Sequence, residues 1–254
     1  MNRRYQHMTK KAYARAGVDV DLGNKLKRGI QSLVRQTHGP QVLGKIGGFG
    51  GLFHASFSRM REPVLVASVD GVGTKLKIAF AMNKHVTVGV DLVNHCINDI
   101  AVLGARPLFF LDYIGCGTLE AGVFQQLLRG LSRACRDAGC ALLGGETAQM
   151  PGMYRKGEYD LAGCIVGVVD RAKIIDGKKI KPGDVVLGLP SNGLHTNGYS
   201  LARKILFEQM RLKPSSLLPG STTTVGDELL RVHKNYQPLL IKVRGGMLKG
   251  LAHI

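Results

Sequence analysis

Alternation of strand-sized apolar runs with amphipathic stretches predicts an α/β protein. Two observations carry this: strand-sized apolar runs at 64–69 and 107–111, and a helical stripe over 119–138 followed by another strand-like run. Alternation alone leaves the direction of the strands open. The 254 residues, 44% apolar and 21% charged, make a globular chain of one large or two ordinary domains. No stretch approaches 18 uninterrupted apolar residues, which excludes a spanning helix. The cysteines at 96, 116, 135, 140 and 164 contain no Cys-x-x-Cys pair. They read as reduced thiols of a cytoplasmic protein, not as a disulfide or zinc framework.

The elements follow in order. Residues 16–35 read as a loop and a short helix, and residues 44–51 as a glycine cluster too flexible for a regular element. Pro63 opens a strand at 64–69 that ends on Asp70. A second strand, 86–90, ends on Asp91 and runs into a helix that Gly104 and Pro107 stop. A strand at 108–114 precedes the helix at 119–138, whose Val123, Phe124, Leu127, Leu128, Leu131, Ala134 and Cys135 share one face. Further strands follow at 140–143 and 161–169. Near 171 the composition shifts to lysine-rich turns, which places a boundary between domains 1–170 and 171–254. A strand at 185–189 and a helix at about 198–209 open the second domain.

The formal net charge of +17 invites a nucleic-acid partner, but its distribution argues against one. Residues 1–61 carry a net +10, residues 62–170 a net −2, and residues 171–254 a net +9. The basic residues do not interleave with aromatics, and a solvated basic surface accounts for the ends. The basic start, residues 1–16, lacks the serine enrichment of a transit peptide. A basic nucleic-acid binder built on an enzyme fold is the reading from a different class, and it predicts affinity that falls steeply with salt.

The sharpest chemical feature is Asp91-Leu-Val-Asn94-His95-Cys-Ile-Asn98-Asp99. On a helix its Asp91, Asn94, His95, Asn98 and Asp99 span about 140° of arc. The face carries acceptors instead of the Lys and Glu of a solvated helix, and suits Mg²⁺, a substrate or helix capping. Asp70-Gly71-Val-Gly73-Thr74-Lys75 follows a strand and offers a carboxylate, backbone N–H groups and a cation, or simply a turn. It is neither a Walker A loop nor a dinucleotide fingerprint. Gly144-Gly-Glu146-Thr147 delivers one carboxylate after a strand. Ser191-Asn-Gly-Leu-His195-Thr-Asn197-Gly-Tyr-Ser200 leads into a helix N-terminus, suited to a phosphate or to plain capping. Separated carboxylate clusters, glycine loops and basic donors together are what a magnesium nucleotide site needs.

These motifs resemble the phosphoribosylformylglycinamidine cyclo-ligase (aminoimidazole ribonucleotide synthetase) family. The stretches that carry the resemblance include Gly47-Gly-Phe-Gly-Gly51, Asp70-Gly-Val-Gly-Thr-Lys75, Gly89-Val-Asp91, Asn98-Asp99, Gly144-Gly-Glu-Thr-Ala-Gln-Met-Pro-Gly-Met-Tyr154 and His195-Thr-Asn-Gly-Tyr-Ser-Leu201. They run from about Tyr13 to the last residue. The resemblance implies an α+β fold of two domains, correcting the alternation: an N-terminal domain whose mixed sheet is packed by helices and pairs across a homodimer, and a C-terminal α/β domain. It implies ATP-dependent closure of formylglycinamidine ribonucleotide to 5-aminoimidazole ribonucleotide, in purine biosynthesis, with ADP and phosphate released. Asp70, Asp91, Asp99 and Glu146 would then hold Mg²⁺ and phosphates. Gly48, Gly50, Gly71, Gly73, Thr74, Lys75 and Thr147 would contact the ATP, and Asn98, His195 and Asn197 would face the substrate. Asp70, Asp99, Asn98 and His195 are the expected catalytic set.

Three departures stand out. Gln149 occupies a position where the family usually has Glu, and Gly115-Cys-Gly-Thr118 replaces a lysine-bearing turn. The chain ends at Leu251-Ala-His-Ile254, where the family pattern runs on, so the second domain is expected to be incomplete. A kinase like selenophosphate synthetase is disfavoured, because the first cysteine is Cys96 and no reactive N-terminal one precedes it.

Overall fold

A computed structural model describes residues 12–13, 15–44, 46–243 and 247–254. Most of the basic start lies outside them. Helices α1 (Val20–Gly29) and α2 (Gln31–Arg35) precede the sheet. The Asp19 carboxylate caps α1 by accepting the Leu22 N–H at 2.8 Å. Asp19 also accounts for Gln149: the glutamine Oε1 accepts the Asp19 N–H and its Nε2 donates to the Asp19 carbonyl, both at 3.2 Å. A glutamate has no donor for the second bond. A short hairpin, β1 (Val42–Leu43) and β2 (Leu52–Phe53), encloses the glycine cluster.

The body is a four-stranded sheet of β3 (Pro63–Gly71), β4 (Arg106–Cys116), β5 (Ala141–Gln149) and β6 (Tyr159–Asp170). Its order is β3-β6-β4-β5. The β3–β6 and β6–β4 pairs are antiparallel, and β4–β5 is parallel. The α/β alternation is thereby corrected to α+β. Helix α5 (Ala121–Asp137) crosses between the parallel neighbours β4 and β5, the helical segment 76–101 crosses between β3 and β4, and β6 returns between those two strands.

Helices α4 (Val86–Ala101) and α5 cover one face of the sheet, with α3 (Leu76–Met82) leading into α4. Leu127, Leu131, Leu92 and Ile97 meet Phe110, Leu161 and Ile165 in the core. The expected strand at 86–90 is instead the start of α4. Its β-branched residues read as strand locally, but packing overrides propensity here. Gly89 on α4 faces Gly130 on α5, and a Cβ at Gly89 would stand 2.5 Å from the Leu127 carbonyl oxygen. One at Gly130 would overlap the Val86 carbonyl oxygen. Both obstacles are backbone, so Gly130→Ala forces the helices apart. Urea unfolding is expected to show a loss of about 1–3 kcal/mol; an unchanged midpoint would mean the helices have room to separate.

The opposite face of the sheet carries no helix among the described residues. Leu65, Val69 and Tyr113 are exposed there, with Cys164 and Val166 half-buried between them.

Beyond β6, the Asp170 side chain caps a 3₁₀ turn, Arg171–Lys173. The expected strand at 185–189 is not formed: Val185, Val186 and Leu187 are 83%, 94% and 82% exposed, and no described strand pairs with them. An apolar run without a neighbour has no ladder to complete its backbone hydrogen bonds. The expected helix does form, as α6 (Tyr199–Arg203) continued by a π-helical turn, Lys204–Gln209. Two short helices follow, α7 (Val225–Leu229) and α8 (Gln237–Lys242).

Candidate active site at the junction of the two halves

Most of the polar face of α4 is covered. Asp91, Asn94, His95 and Asn98 are all buried, under segments 192–199 and 231–236. Most of these side chains are spent on holding that cover. The Asp91 Oδ1 accepts the His233 N–H at 2.7 Å, and Asn94 Nδ2 donates to the His233 carbonyl at 2.7 Å. Asn98 Oδ1 accepts the Tyr236 N–H, while its Nδ2 donates to the Lys234 carbonyl and to His233 Nε2. Asn98 was expected to face substrate; its amide is instead committed to the docked segment.

Lys75 is corrected in the same way. Its side chain is fully buried, and Nζ donates to the His195 and Arg231 carbonyls at 2.8 and 2.7 Å while pairing with Asp91 Oδ2 at 2.8 Å. Three donors meet three acceptors, which leaves none for a phosphate. Burial pushes the Asp91 carboxyl up to about 6, against the pull of Lys75, and burial pushes the Lys75 ammonium down. Asp91 is a buried strut and not an open metal ligand.

What remains open is a smaller cluster at the end of β3. Asp70 is partly exposed; its Oδ1 accepts the Gly71 N–H at 2.7 Å and its Oδ2 lies 2.8 Å from His95 Nε2. Asp99 stands one helical turn beyond His95, accepts from Ser68 Oγ at 3.0 Å, and lies 2.7 Å from His253 Nδ1. Burial would raise the Asp99 carboxyl, but the His253 hydrogen bond, the His95 charge and Ser68 outweigh it and hold it below the ordinary carboxylate range. Gly73, at φ +65°, turns the chain so that Thr74 Oγ1 reaches Ser200 Oγ at 3.0 Å on the exposed side. His195 also has positive φ, at +56°, and its ring stacks on His233 with centroids 4.2 Å apart. Asn197 is exposed beside it.

Glu146 is not brought into this cluster. Asp70, Gly163, Asp112 and Gly145 form one rung across the sheet, so Glu146 is about 14 Å away laterally, three strand spacings. It is exposed, and its Oε1 accepts the Thr147 N–H at 2.8 Å. Gly48 and Gly50 lie at that same edge, lining a cavity of about 370 Å³ with His38, Ile46 and Leu143. The expected residues thus fall into two groups, at opposite edges of the sheet.

His233 and His253 were not foreseen. Neither sits in a motif, and only the tertiary fold brings them to His95. Burial pushes the His233 ring down to about 2, with its histidine neighbours adding to the effect. The unfolded ring titrates near 6.5, so its stabilising contribution is complete above that pH and is lost as pH falls below it. Urea unfolding at pH 7 and pH 5 is therefore expected to show a steeper acid loss for the parent than for His233→Asn. The difference approaches about 1.4 kcal/mol per pH unit; equal slopes would contradict a buried neutral ring.

Residues 55–169 match the N-terminal domain, and residues 181–254 the C-terminal domain, of the AIR synthase related proteins. The phosphoribosylformylglycinamidine cyclo-ligase of Syntrophotalea carbinolica is 54% identical over 246 residues, covering 96% of this chain and 70% of that protein. The chain belongs to the phosphoribosylformylglycinamidine cyclo-ligase family. The enzyme of that name from Geobacillus thermodenitrificans is 50% identical over 96% of the chain and 71% of its own length. Two solved structures share this fold. Thiamine-monophosphate kinase of Stenotrophomonas maltophilia superposes with a TM-score of 0.62 at 19% identity, over 85% of this chain and 63% of its own. HypE of E. coli does so at 0.56 and 16%, over 85% and 61%. These two likenesses concern the fold.

Proposed function

We propose that the chain catalyses ATP-dependent closure of formylglycinamidine ribonucleotide to 5-aminoimidazole ribonucleotide, releasing ADP and phosphate, in purine biosynthesis. The observation that carries this is identity of about half, over nearly the whole chain, to enzymes named for that reaction. The convergence of Asp70 and Asp99 at the junction mouth supports it.

The formyl amide oxygen attacks the γ-phosphorus of ATP, and ADP leaves. The amidine nitrogen then attacks the activated formyl carbon, the C–O bond breaks with phosphate as the leaving group, and loss of a proton completes the aromatic ring. Such chemistry asks a protein for positioning and charge neutralisation more than for a nucleophile. The Asp70 and Asp99 carboxylates supply oxygen donors at the mouth, a set that fits Mg²⁺. When bound, Mg²⁺ supplies charge to the phosphates. Thr74 and the Gly71–Gly73 backbone face the same opening, with Asn197 and the His195 turn on its far side. Lys75, Asp91 and Asn98 act behind them by holding the two halves in register. Release of ADP that depends on this substrate is the test. ATP hydrolysis indifferent to it would overturn the reading.

The sheet's helix-free face supports a homodimer, in which the partner's β5 edge, with Glu146, Thr147 and the Gly48–Gly50 loop, adds to the nucleotide site. Val69→Lys places a charge on that face. In sedimentation it is expected to shift a dimer to a monomer; a dimer unchanged by it would place the interface elsewhere. Among the described residues no helix is long and apolar enough to cross a membrane. The five free cysteines accord with a cytoplasmic protein.

A further inference from the structure

The hydrogen bonds around His253 turn its Nδ1 toward a carboxylate. Asn98 is oriented by its two backbone partners, Tyr236 N–H to Oδ1 and Nδ2 to Lys234 carbonyl. Its Nδ2 therefore donates to His233 Nε2, which must be an acceptor. His253 Nε2 lies 3.1 Å from that same nitrogen and donates to it in the tautomer protonated at Nε2. The other nitrogen of a neutral His253, Nδ1, then presents a lone pair to the Asp99 Oδ1 at 2.7 Å. A proton or a metal ion placed between these two acceptors satisfies both.

A second ring nitrogen faces the same space. His95 Nε2 stands 2.8 Å from Asp70 Oδ2 and 3.9 Å from Asp99 Oδ2. One ligand atom each from His95, Asp99 and His253 fall within 4.8 Å of one another. A tetrahedral ion with bonds of about 2.0–2.1 Å keeps neighbouring donors about 3.4 Å apart, within the range of these separations. The supporting contacts are also those of a metal site. His95 Nδ1 is held by Thr196 Oγ1 at 2.5 Å, and His253 Nε2 by His233, so each ring is oriented through its other nitrogen. His95 and Asp99 project from one face of α4 at i and i+4, a rigid base.

We infer that His95 Nε2, His253 Nδ1 and the Asp99 carboxylate, with Asp70 as a fourth ligand, form a site for a divalent transition ion of the zinc class. Two imidazoles select such an ion over Mg²⁺, which prefers oxygen donors. The ion would tie residue 253 to α4 and β3, and would compete with Mg²⁺ for the two carboxylates. The inference does not rest on ring closure, because binding is read on the chain without nucleotide.

The experiment is titration of the chelator-treated protein with Co²⁺, following visible d–d absorption, and displacement of the Co²⁺ by Zn²⁺. One equivalent is expected to bind with the intense bands of a tetrahedral N,O site and to persist in excess Mg²⁺. His253→Ala, near the chain end, and Asp99→Asn are each expected to weaken binding at least tenfold, with circular dichroism unchanged. Absence of the bands would leave only a proton between His253 and Asp99 and overturn the site. Binding that is indifferent to both substitutions, or abolished by Mg²⁺, would overturn it equally.

Discussion

Lys75→Met is expected to destabilise the protein by about 3–5 kcal/mol, read as a fall in the urea midpoint. The methionine keeps the bulk of the stem, so the loss is not one of packing. It strands the Asp91 carboxylate in a fully buried position and leaves the His195 and Arg231 carbonyls without their donor. Removing one partner of a buried pair costs more than the pair contributes, because the survivor remains desolvated. Lys75→Met with Asp91→Asn removes both charges while keeping an acceptor for the His233 N–H, and is expected to recover more than half of the loss. A single variant within about 1 kcal/mol of the parent would contradict the assignment of Lys75 as the strut between the halves.

Asp99→Asn is expected to lower kcat/KM for ring closure by about 10²–10³-fold or more while leaving stability within about 1 kcal/mol. Asparagine is isosteric and its Oδ1 still accepts from Ser68 Oγ, so the helix face is preserved. What is lost is the negative charge at the mouth, where His95 and His253 converge with Ser68. Asp70→Asn is expected to act in the same direction, and the double variant to lose little more than the worse single one, since the two carboxylates serve one centre. Normal turnover in the double variant would remove both from the mechanism.

Some of this was legible in the sequence, and the reasons differ by element. The apolar face of α5 is local information, and Phe124, Leu127, Leu128 and Leu131 are buried as their spacing requires. The start of α4 was not legible, because Val-Thr-Val-Gly-Val has strand propensity, and its close packing on α5 through Gly89 and Gly130 is a tertiary contact. The run at 185–189 misled for the converse reason: it has strand composition but no partner strand. The polar face of α4 was visible, yet its use was not. Asp91, Asn94 and Asn98 look like ligands in sequence, and their partners, the backbone of 233–236, lie some 140 residues away. Asp70 and Asp99 do converge, but through His95 and Ser68, whose parts depend on that same packing. Mixed strand order likewise depends on β6 returning between β3 and β4, which periodicity cannot encode.

Activation of the formyl oxygen by ATP, as a phosphate leaving group, leaves an isotopic trace. Its most direct measurement uses substrate labelled with heavy oxygen in the formyl group, supplied to the purified chain with Mg²⁺ and ATP. One labelled oxygen is expected in the inorganic phosphate for each imidazole ring formed. Ring formation with unlabelled phosphate, or ADP release without ring formation, would contradict it.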